Sequence, residues 1–378
     1  MPGTDLATKL DGYRTLLRGR LEFWLDTRHR DHRMYQMMAY HLGWLDADLT
    51  PATTTDTGKH LRPALSFLVC EHVGARPERA LPGAAAVELV HNFSLVHDDI
   101  QDGSPMRRHR PTVWSLWGVG QGINVGDGLF TLAQLALLEL DDGEHEVAAH
   151  VRIEAARVLN RTCLALCEGQ GRDLDFVDRP DGGLRGYLTM IAGKTGALFG
   201  GSAELGALLG GAPADVVRTC GRFGRALGAV YQMRDDIAGV WGDPRETGKL
   251  PNDIARRKLG LPTTLACLLA SDRDRARLCA LYACGRPLDE TEVDWVIGLF
   301  EKLGVRDEAE RLAARHLHRV GRLLRAVLPA PDTAGSLAEL VNVVAGRVPM
   351  TVAAEGGAMG ESLANHPGAE RGRGGPHD

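Results

Sequence analysis

Residues Ala80–Asp102 read ALPGAAAVELVHNFSLVHDDIQD, and their apolar residues recur at spacings of three and four. That spacing is the period of an α-helix packed against a core. The stretch VVRTCGRFGRALGAVYQMRDDIAGVW, residues 216–241, has the same spacing, and strand-like alternation is absent over any useful length. The sequence therefore predicts an all-α fold, a large single-domain helical bundle of about a dozen helices around a central cavity.

The length and composition suit one large folded unit. The chain has 378 residues, of which 44% are hydrophobic, so a sizeable core can be buried. We predict a flexible N-terminus over residues 1–8, one domain over residues 9–348, and a disordered Gly-rich tail over residues 349–378. Stretches such as DGSPMRRHRPT and GDPRETGKLPND are predicted loops because Gly and Pro punctuate them.

Charge and cysteine content exclude several classes of protein. The formal net charge of −5 argues against a nucleic-acid binder, so recognition of an anion must be local. No secretory signal is evident, and no apolar run approaches the roughly 18 residues of a membrane span. The seven cysteines lie mostly in apolar helical patterns. We interpret them as buried free thiols of a cytoplasmic protein.

The predicted helix over Ala80–Asp102 ends in three aspartates. Asp98, Asp99 and Asp102 are followed by Arg107 and Arg108 in LVHDDIQDGSPMRRHRPTVW. On a helix Asp98 and Asp102 share one face about 6 Å apart. Such a pair suits a hard cation with oxygen ligands, most naturally Mg²⁺. A solvated acidic helix end is the alternative, and this stretch alone does not separate the two.

A second stretch, YQMRDDIAGVWGDP at residues 231–244, repeats the arrangement. Asp235, Asp236 and Asp243 follow a long amphipathic run. The basic residues after these aspartates are Arg245, Lys249, Arg256, Arg257 and Lys258. Two acidic helix ends, each trailed by cations, can face each other across a cavity and hold a diphosphate through metal ions. Metal and cations together would stabilise the diphosphate as it leaves carbon.

Several stretches, in the right order, resemble the trans-type isoprenyl diphosphate synthases, the polyprenyl synthetase family. The resemblance covers roughly residues 55–345. The stretches are GKHLRP (58–63), ELVHNFSLVHDDIQD (88–102), MRRHRPT (106–112), EGQGRDLDF (168–176), IAGKTGALF (191–199), YQMRDD (231–236), ETGK (246–249) and NDIARRKLGLP (252–262). A motif set of this kind is specific because its members are separate and ordered.

The resemblance implies roles for individual residues. Isopentenyl diphosphate would be bound by Lys59, Arg62, His91 and Arg108. The allylic diphosphate would be bound by Arg107, Lys194, Thr195, Lys249 and Lys258. Gln170 and Asp173 would lie near the metals, and Gln232 would accompany the second Asp-rich motif. The family also implies Mg²⁺ as cofactor, with three ions per active site, and a homodimer.

The chain departs from the family pattern at two positions. The second motif usually has a third aspartate four residues after its first, and here that position is Gly239. Asp243, a further four residues on, is a candidate substitute, so the metal set of this motif is Asp235 with support from Asp236 and Asp243. His109 stands where a glycine often follows the two arginines, and we expect it to alter only the loop.

The implied reaction is a head-to-tail condensation in which Asp98, Asp102, Lys194 and Asp235 are the catalytic residues. Dimethylallyl, geranyl or farnesyl diphosphate would lose its diphosphate to give an allylic cation, and the double bond of isopentenyl diphosphate would attack it. A proton would then pass to the departing diphosphate. The apolar product would extend into a tunnel between helices.

The residues before Asp98 bear on product length. Ser94 lies four residues back on nearly the same face, and Phe93 lies five residues back, about 7.5 Å deeper along the axis. We expect Phe93 to close the tunnel and the small Ser94 to leave room. The family pattern then implies C20 geranylgeranyl diphosphate first and C15 farnesyl diphosphate second. Ordinary helix packing is the alternative role for Phe93.

Two other functions remain open at this stage. A class I terpene cyclase would share the bundle and the spacing of Asp235, Gly239 and Asp243, but it binds no second diphosphate and needs more aromatic residues than the 5% present. A non-catalytic subunit of a heteromeric synthase would ordinarily lack the Asp motifs. Neither alternative accounts for GKHLRP together with an intact first motif.

Overall fold

The computed structural model describes residues 5–26, 32–52, 58–138, 147–177, 182–243, 252–327 and 334–347. Within those ranges it is almost entirely helical, and the all-α prediction is confirmed. The first helices are α1 (Leu6–Asp26), α2 (Arg33–His41), α3 (Leu61–His72), α4 (Leu81–Gln101), α5 (Val113–Trp117), α6 (Val119–Leu138) and α7 (Ala149–Val177). The later ones are α8 (Gly183–Ile191), α9 (Ala197–Leu209), α10 (Ala214–Trp241), α11 (Leu261–Leu269), α12 (Asp272–Tyr282), α13 (Glu290–Lys302), α14 (Val305–Val327) and α15 (Ala334–Val344).

Three short elements interrupt the helices. A 3-10 turn, Pro77–Ala80, leads into α4, and a π-helical segment, Ala192–Gly196, joins α8 to α9. Strands β1 (Met106–Arg107) and β2 (Arg110–Pro111) pair antiparallel after α4. No described helix is long and apolar enough to cross a membrane.

The predicted terminal segments fall mainly outside the described residues. The tail over 349–378 lies wholly outside them, as do residues 1–4. Helix α1 begins at Leu6, which is buried in the main core. Residues 6–8 are therefore helical, although the sequence analysis assigned them to a flexible segment.

The core is built around helices that are buried on nearly every side. In α4, residues 84–87 are fully buried along with Leu89 and Val90, and α3 and α9 are as thoroughly enclosed. A helix surrounded by protein exposes no face to solvent and needs no polar face. This explains why Ala, Gly, Leu and Val continue around these helices. A second core cluster packs the C-terminal end of α10 against α8 and α11–α14.

Glycines allow the central helices to touch. A Cβ on Gly206 of α9 would lie 2.2 Å from the backbone oxygen of Ser66 in α3, and one on Gly224 of α10 would lie 2.3 Å from that of Phe199 in α9. Real Cβ atoms do not approach so closely, so any side chain at either position would force the helices apart. These contacts fix the spacing of the helices that carry the functional residues.

We expect Gly206→Ala to lower the free energy of unfolding by about 2–3 kcal/mol, because α3 must move away from the added methyl. Gly298→Ala in α13 is the matched control, since its Cβ would meet nothing within 4 Å. That change should raise stability by about 0.5–1 kcal/mol through helix propensity. Urea unfolding of both variants measures this, and equal effects would contradict the packing argument.

Candidate active site

The end of α4 presents the first carboxylates. Asp98 lies on its last turn, and Asp102 is the C-cap residue, with its N–H donating to the Asp98 carbonyl at 2.8 Å. Burial raises the pKa of Asp102 to about 6, and the neighbouring Asp98 adds to the shift. The two charges destabilise each other in partial burial, and a bound cation would relieve this repulsion.

Asp99 points away from that face and anchors Arg107. Its side chain is only 3% exposed and receives Arg107 Nε at 2.8 Å and Nη2 at 2.8 Å. Arg107 Nη2 also lies 3.5 Å from Asp98 Oδ2. Burial raises the pKa of Asp99 to about 6 even though Arg107 opposes that shift. Asp99, which was assigned no role from its motif, therefore fixes Arg107 beside the site.

The hairpin formed by β1 and β2 turns the two arginines in different directions. Arg108 (φ 49°) and His109 (φ 61°) both have left-handed backbones between the paired residues Arg107 and Arg110. Positive φ at both central residues defines a type I′ turn, whose second position favours glycine. His109 therefore fits the expectation that it alters only the loop, and its cost is backbone strain.

The GKHLRP stretch lies against Arg108. A Cβ on Gly58 would lie 2.5 Å from Arg108 Nη2, so the glycine backbone and the guanidinium are in close contact. At the start of α3, Arg62 Nη1 donates to His91 Nε2 at 3.2 Å. Burial and the nearby Arg62 hold the pKa of His91 well below its ordinary value, so the imidazole is neutral. Lys59 is exposed beside them.

A buried acid holds this stretch in place, and sequence reasoning missed it. Glu88 Oε1 lies 3.2 Å from His60 Nδ1 and accepts from Asn92 Nδ2 at 2.9 Å. Burial alone would raise the pKa of Glu88, but His60, His91 and Asn92 together outweigh burial and lower it strongly. His60 itself has a left-handed backbone (φ 46°). The signal in the sequence was a lone glutamate inside an apolar helix.

Helix α7 and the π-helical segment bring a lysine to the first carboxylates. A Cβ on Gly169 would lie 2.1 Å from the backbone nitrogen of Lys194, so only glycine permits the contact. Lys194 Nζ is 3.1 Å from Asp98 Oδ1 and also pairs with Asp173. Gln170 Nε2 donates to Asp98 Oδ1 at 2.9 Å. Burial opposes the charge on Lys194, but the two aspartates outweigh it and raise the pKa of the ammonium.

A chain of hydrogen bonds continues from the π-helical segment to α10. Thr195 Oγ1 donates to Gln232 Oε1 at 2.7 Å, and Gln232 Nε2 donates to Asp236 Oδ1 at 2.9 Å. Asp236 is 2% exposed, and its Oδ2 also accepts from Tyr187 Oη at 2.7 Å and from the backbone N–H of Leu261 at 3.0 Å. Its oxygens thus tie α10 to α8 and α11.

Asp235 faces the other way, with a 37% exposed side chain. Lys258 Nζ lies 3.7 Å from Asp235 Oδ2 and 3.3 Å from Asp236 Oδ1. Helix α10 ends at Trp241, and Gly242 is extended. Asp243, the candidate substitute for the third aspartate, therefore lies two residues beyond the end of the helix. Lys249 lies outside the described residues.

The two Asp-rich ends belong to one site. Arg256 Nη2 donates to Ser104 Oγ at 3.1 Å, which joins the segment after α10 to the loop after α4. Near the GKHLRP stretch, Arg62 stacks over the Phe199 ring at 5.0 Å, and that ring packs 5.4 Å from the ring of Tyr231. Burial and the nearby Asp235 raise the pKa of Tyr231. Contacts therefore run from the GKHLRP stretch to Tyr231, which lies one helical turn before Asp235 in α10.

The donor set fits Mg²⁺ that is bound together with a substrate. Among the described residues, no three Asp, Glu, His or Cys side chains converge closely enough to hold a metal by themselves. Mg²⁺ characteristically uses one or two carboxylates, several waters and substrate phosphates. The ammonium groups of Lys194 and Lys258 already lie between carboxylates where positive charge is needed. Asp98, Asp102 and Asp235 are the residues that would hold the ions.

Phe93 lies deeper along α4 than the carboxylates. Its ring packs 5.3 Å from that of Phe130 in α6 and 5.1 Å from that of His97. Ser94 Oγ donates to the His91 carbonyl at 2.7 Å, so the small side chain turns back on its own helix. The Phe93 and Phe130 rings therefore pack against each other between α4 and α6.

Carboxylates at two helix ends, one beside Arg107 and Lys194 and the other beside Lys258, are typical of helical enzymes that bind diphosphate esters through metal ions. The polyprenyl synthetase family profile matches residues 47–300. This chain belongs to the polyprenyl synthetase family and is a trans-isoprenyl diphosphate synthase, a transferase that elongates prenyl chains. Enzymes of this family are generally Mg²⁺-dependent.

Named relatives agree with that assignment. The geranylgeranyl diphosphate synthase of Mycobacterium tuberculosis is 40% identical over 297 residues, which is 78% of this chain and 83% of that protein. The (2E,6E)-farnesyl diphosphate synthase of Mycobacterium bovis is 40% identical over 322 residues, 84% of this chain and 87% of that protein. The polyprenyl synthetase from Streptomyces coelicolor A3(2) superimposes with a TM-score of 0.81 at 36% identity, covering 90% and 99% of the two chains.

We expect His109→Gly to raise the free energy of unfolding by about 1 kcal/mol, because glycine adopts the left-handed backbone without strain. His109→Ala keeps the Cβ and should give no such gain. Urea unfolding measures both variants. A gain with alanine as large as that with glycine would show that loss of the imidazole, rather than backbone strain, is responsible.

Proposed function

We propose that the protein condenses isopentenyl diphosphate with an allylic diphosphate and releases mainly C20 geranylgeranyl diphosphate, with C15 farnesyl diphosphate as the next product. The observation that carries the proposal is the series of contacts from Arg62 in the GKHLRP stretch through Phe199 to Tyr231, one helical turn before Asp235. Its cations fall into two groups, one at the start of α3 and one that contacts the carboxylates. The relatives named for C20 and C15 products agree with this range.

The isopentenyl diphosphate is assigned to the cations around the start of α3. Arg62 donates to the neutral His91, the Arg108 guanidinium lies against Gly58, and Lys59 is exposed next to Gly58. In this assignment they neutralise a diphosphate that stays attached to carbon throughout the reaction. Glu88 positions them by holding His60.

The allylic diphosphate is assigned to the cations that touch the carboxylates. Arg107 and Lys194 form ion pairs with Asp98, and Lys258 forms an ion pair with Asp235. Three Mg²⁺ ions held by Asp98, Asp102 and Asp235 would act as Lewis acids on the leaving oxygens. The protein's ammonium and guanidinium groups then stabilise the departing diphosphate, and Gln170 and Gln232 orient the carboxylates.

The chain is proposed to act as a homodimer in the cytoplasm. Exposed apolar residues lie along two neighbouring helices, with Val119 and Ile123 on α6 and Ile153 and Leu164 on α7. Exposed apolar surface of this extent is typical of an interface with another chain. Cys70, Cys163 and Cys220 are buried free thiols, which favours a reducing compartment.

The function is tested by supplying Mg²⁺, labelled isopentenyl diphosphate and, in turn, dimethylallyl, geranyl or farnesyl diphosphate, and by sizing the alcohols after hydrolysis. Elongation that ends mainly at C20 is the expected result. Hydrocarbon release from an allylic diphosphate alone would instead identify a terpene cyclase. Absence of turnover that a second, different chain restores would identify a subunit of a heteromeric enzyme.

The same assay separates the two diphosphate sites. We expect Lys59→Gln to raise KM for isopentenyl diphosphate about tenfold with little change for the allylic substrate, since one charge-assisted contact is lost. Lys258→Gln should have the opposite selectivity and should also lower kcat, because its charge acts on the leaving group. If each variant raised both KM values equally, the assignment of two separate sites would be wrong.

Phe93→Ala is expected to shift the product distribution from C20 towards C25 or longer, because the ring that closes the tunnel is removed. Phe93→Leu is the matched control, as it keeps most of the side-chain volume and should leave C20 dominant. Chromatography of the hydrolysed products measures the shift. Identical products from both variants and the unmodified enzyme would leave Phe93 with a packing role only.

A further inference from the structure

The position of the missing third aspartate is filled from another part of the chain. Gly239 lies in α10 four residues after Asp235, on the same helical face. A Cβ built on Gly239 would lie 2.0 Å from Asp253 Oδ2 and 2.5 Å from Asp253 Cγ. The Asp253 carboxylate thus occupies the space into which a side chain at position 239 would extend.

The fold fixes Asp253 there by backbone contacts on both sides. Its N–H donates to the Gly239 carbonyl at 3.3 Å, and its own carbonyl accepts from the Lys258 N–H at 2.9 Å. The next residue, Ile254, is buried in the second core cluster, and Arg257 Nη1 donates to the Tyr282 carbonyl at 2.9 Å. The carboxylate is therefore placed by the tertiary structure of the 252–260 segment.

Asp253 and Asp235 serve the same cation. Lys258 Nζ lies 3.2 Å from Asp253 Oδ2 and 3.7 Å from Asp235 Oδ2. Burial opposes the charge of this lysine, but the surrounding aspartates outweigh it and raise its pKa. Asp253 remains 23% exposed, in contrast to Asp236, whose oxygens are used by Tyr187 and other donors. A ligand bound beside Asp235 could therefore also contact the Asp253 carboxylate.

We propose that Asp253 supplies the second carboxylate of the metal site at Asp235, in place of the aspartate that Gly239 replaces. This rests on the proposed function, in which Asp235 holds a Mg²⁺ ion with the allylic diphosphate. Two carboxylates with phosphate oxygens and waters make the ligand set that Mg²⁺ commonly takes. Gly239 is then required, because a side chain there would displace the Asp253 carboxylate.

The test uses the full chain with Mg²⁺ and inorganic pyrophosphate as the probe. Isothermal titration calorimetry gives the Mg²⁺-dependent affinity for pyrophosphate, and thermal unfolding gives the Tm shift on binding. Asp253→Asn should weaken the affinity about tenfold and reduce the Tm shift. Asp272→Asn, at an exposed aspartate of α12, is the matched control and should change neither value.

A double variant that moves the carboxylate from position 253 to position 239 distinguishes loss of a ligand from a general structural effect. Gly239→Asp alone should weaken pyrophosphate binding, because the new side chain collides with Asp253. The double variant Gly239→Asp/Asp253→Gly should recover affinity to within about threefold of the unmodified protein, since a carboxylate again faces the site beside Asp235. Failure of the double variant to exceed either single variant in affinity would overturn the proposal.

Parallel variants distinguish this inference from the proposed function. If Asp98→Asn and Asp235→Asn weaken binding but Asp253→Asn does not, only the role of Asp253 is wrong. If Asp243→Asn weakens binding and Asp253→Asn does not, Asp243 takes the role instead. Unchanged binding in Asp98→Asn and Asp235→Asn, or no Mg²⁺-dependent binding by the unmodified chain, would overturn the metal assignment and this inference together.

Discussion

Carboxylates held in partial burial at the ends of apolar helices must be neutralised, and this constraint governs the architecture. Taking a charge out of water costs free energy unless an opposite charge lies close by. Here Asp99 pairs with Arg107, Asp98 with Lys194, and Asp235 and Asp236 with Lys258. The helices and loops that carry these cations are therefore drawn to the same cavity, and the electrostatic requirement also defines where substrate and metal charge can be accommodated.

Much of the fold follows from the sequence because burial imposes a period. The helical spacing of apolar residues around Ala80–Asp102 and in α10 predicted the two central helices, and both formed. Helix ends were less predictable. The row from Asp235 to Asp243 looked continuous on spacing alone, yet α10 stops at Trp241. Asp243 precedes Pro244 in the sequence, and a residue before proline is disfavoured in the α conformation.

Site residues were predictable from the sequence where they belong to short local motifs. Lys194 pairs with Asp98, and hydrogen bonds run from Thr195 through Gln232 to Asp236, the neighbour of Asp235. Partnerships between distant segments could not be read in advance. Glu88 with His60, and Asp253 with Gly239, depend on how close two backbones come after packing. Spacing along one helix carries no information about such an approach.

The π-helical segment Ala192–Gly196 makes chain length there as important as residue identity. A π turn accommodates one residue more than the α-helix around it. Deleting a single residue would return the segment to α-helical winding and rotate everything before it by about 100° relative to α9. Lys194 and Thr195 would leave the cavity even though both side chains were retained. The extra residue of the π turn thus sets which side chains of this segment face the site. A sequence one residue shorter between α8 and α9 would place different side chains there.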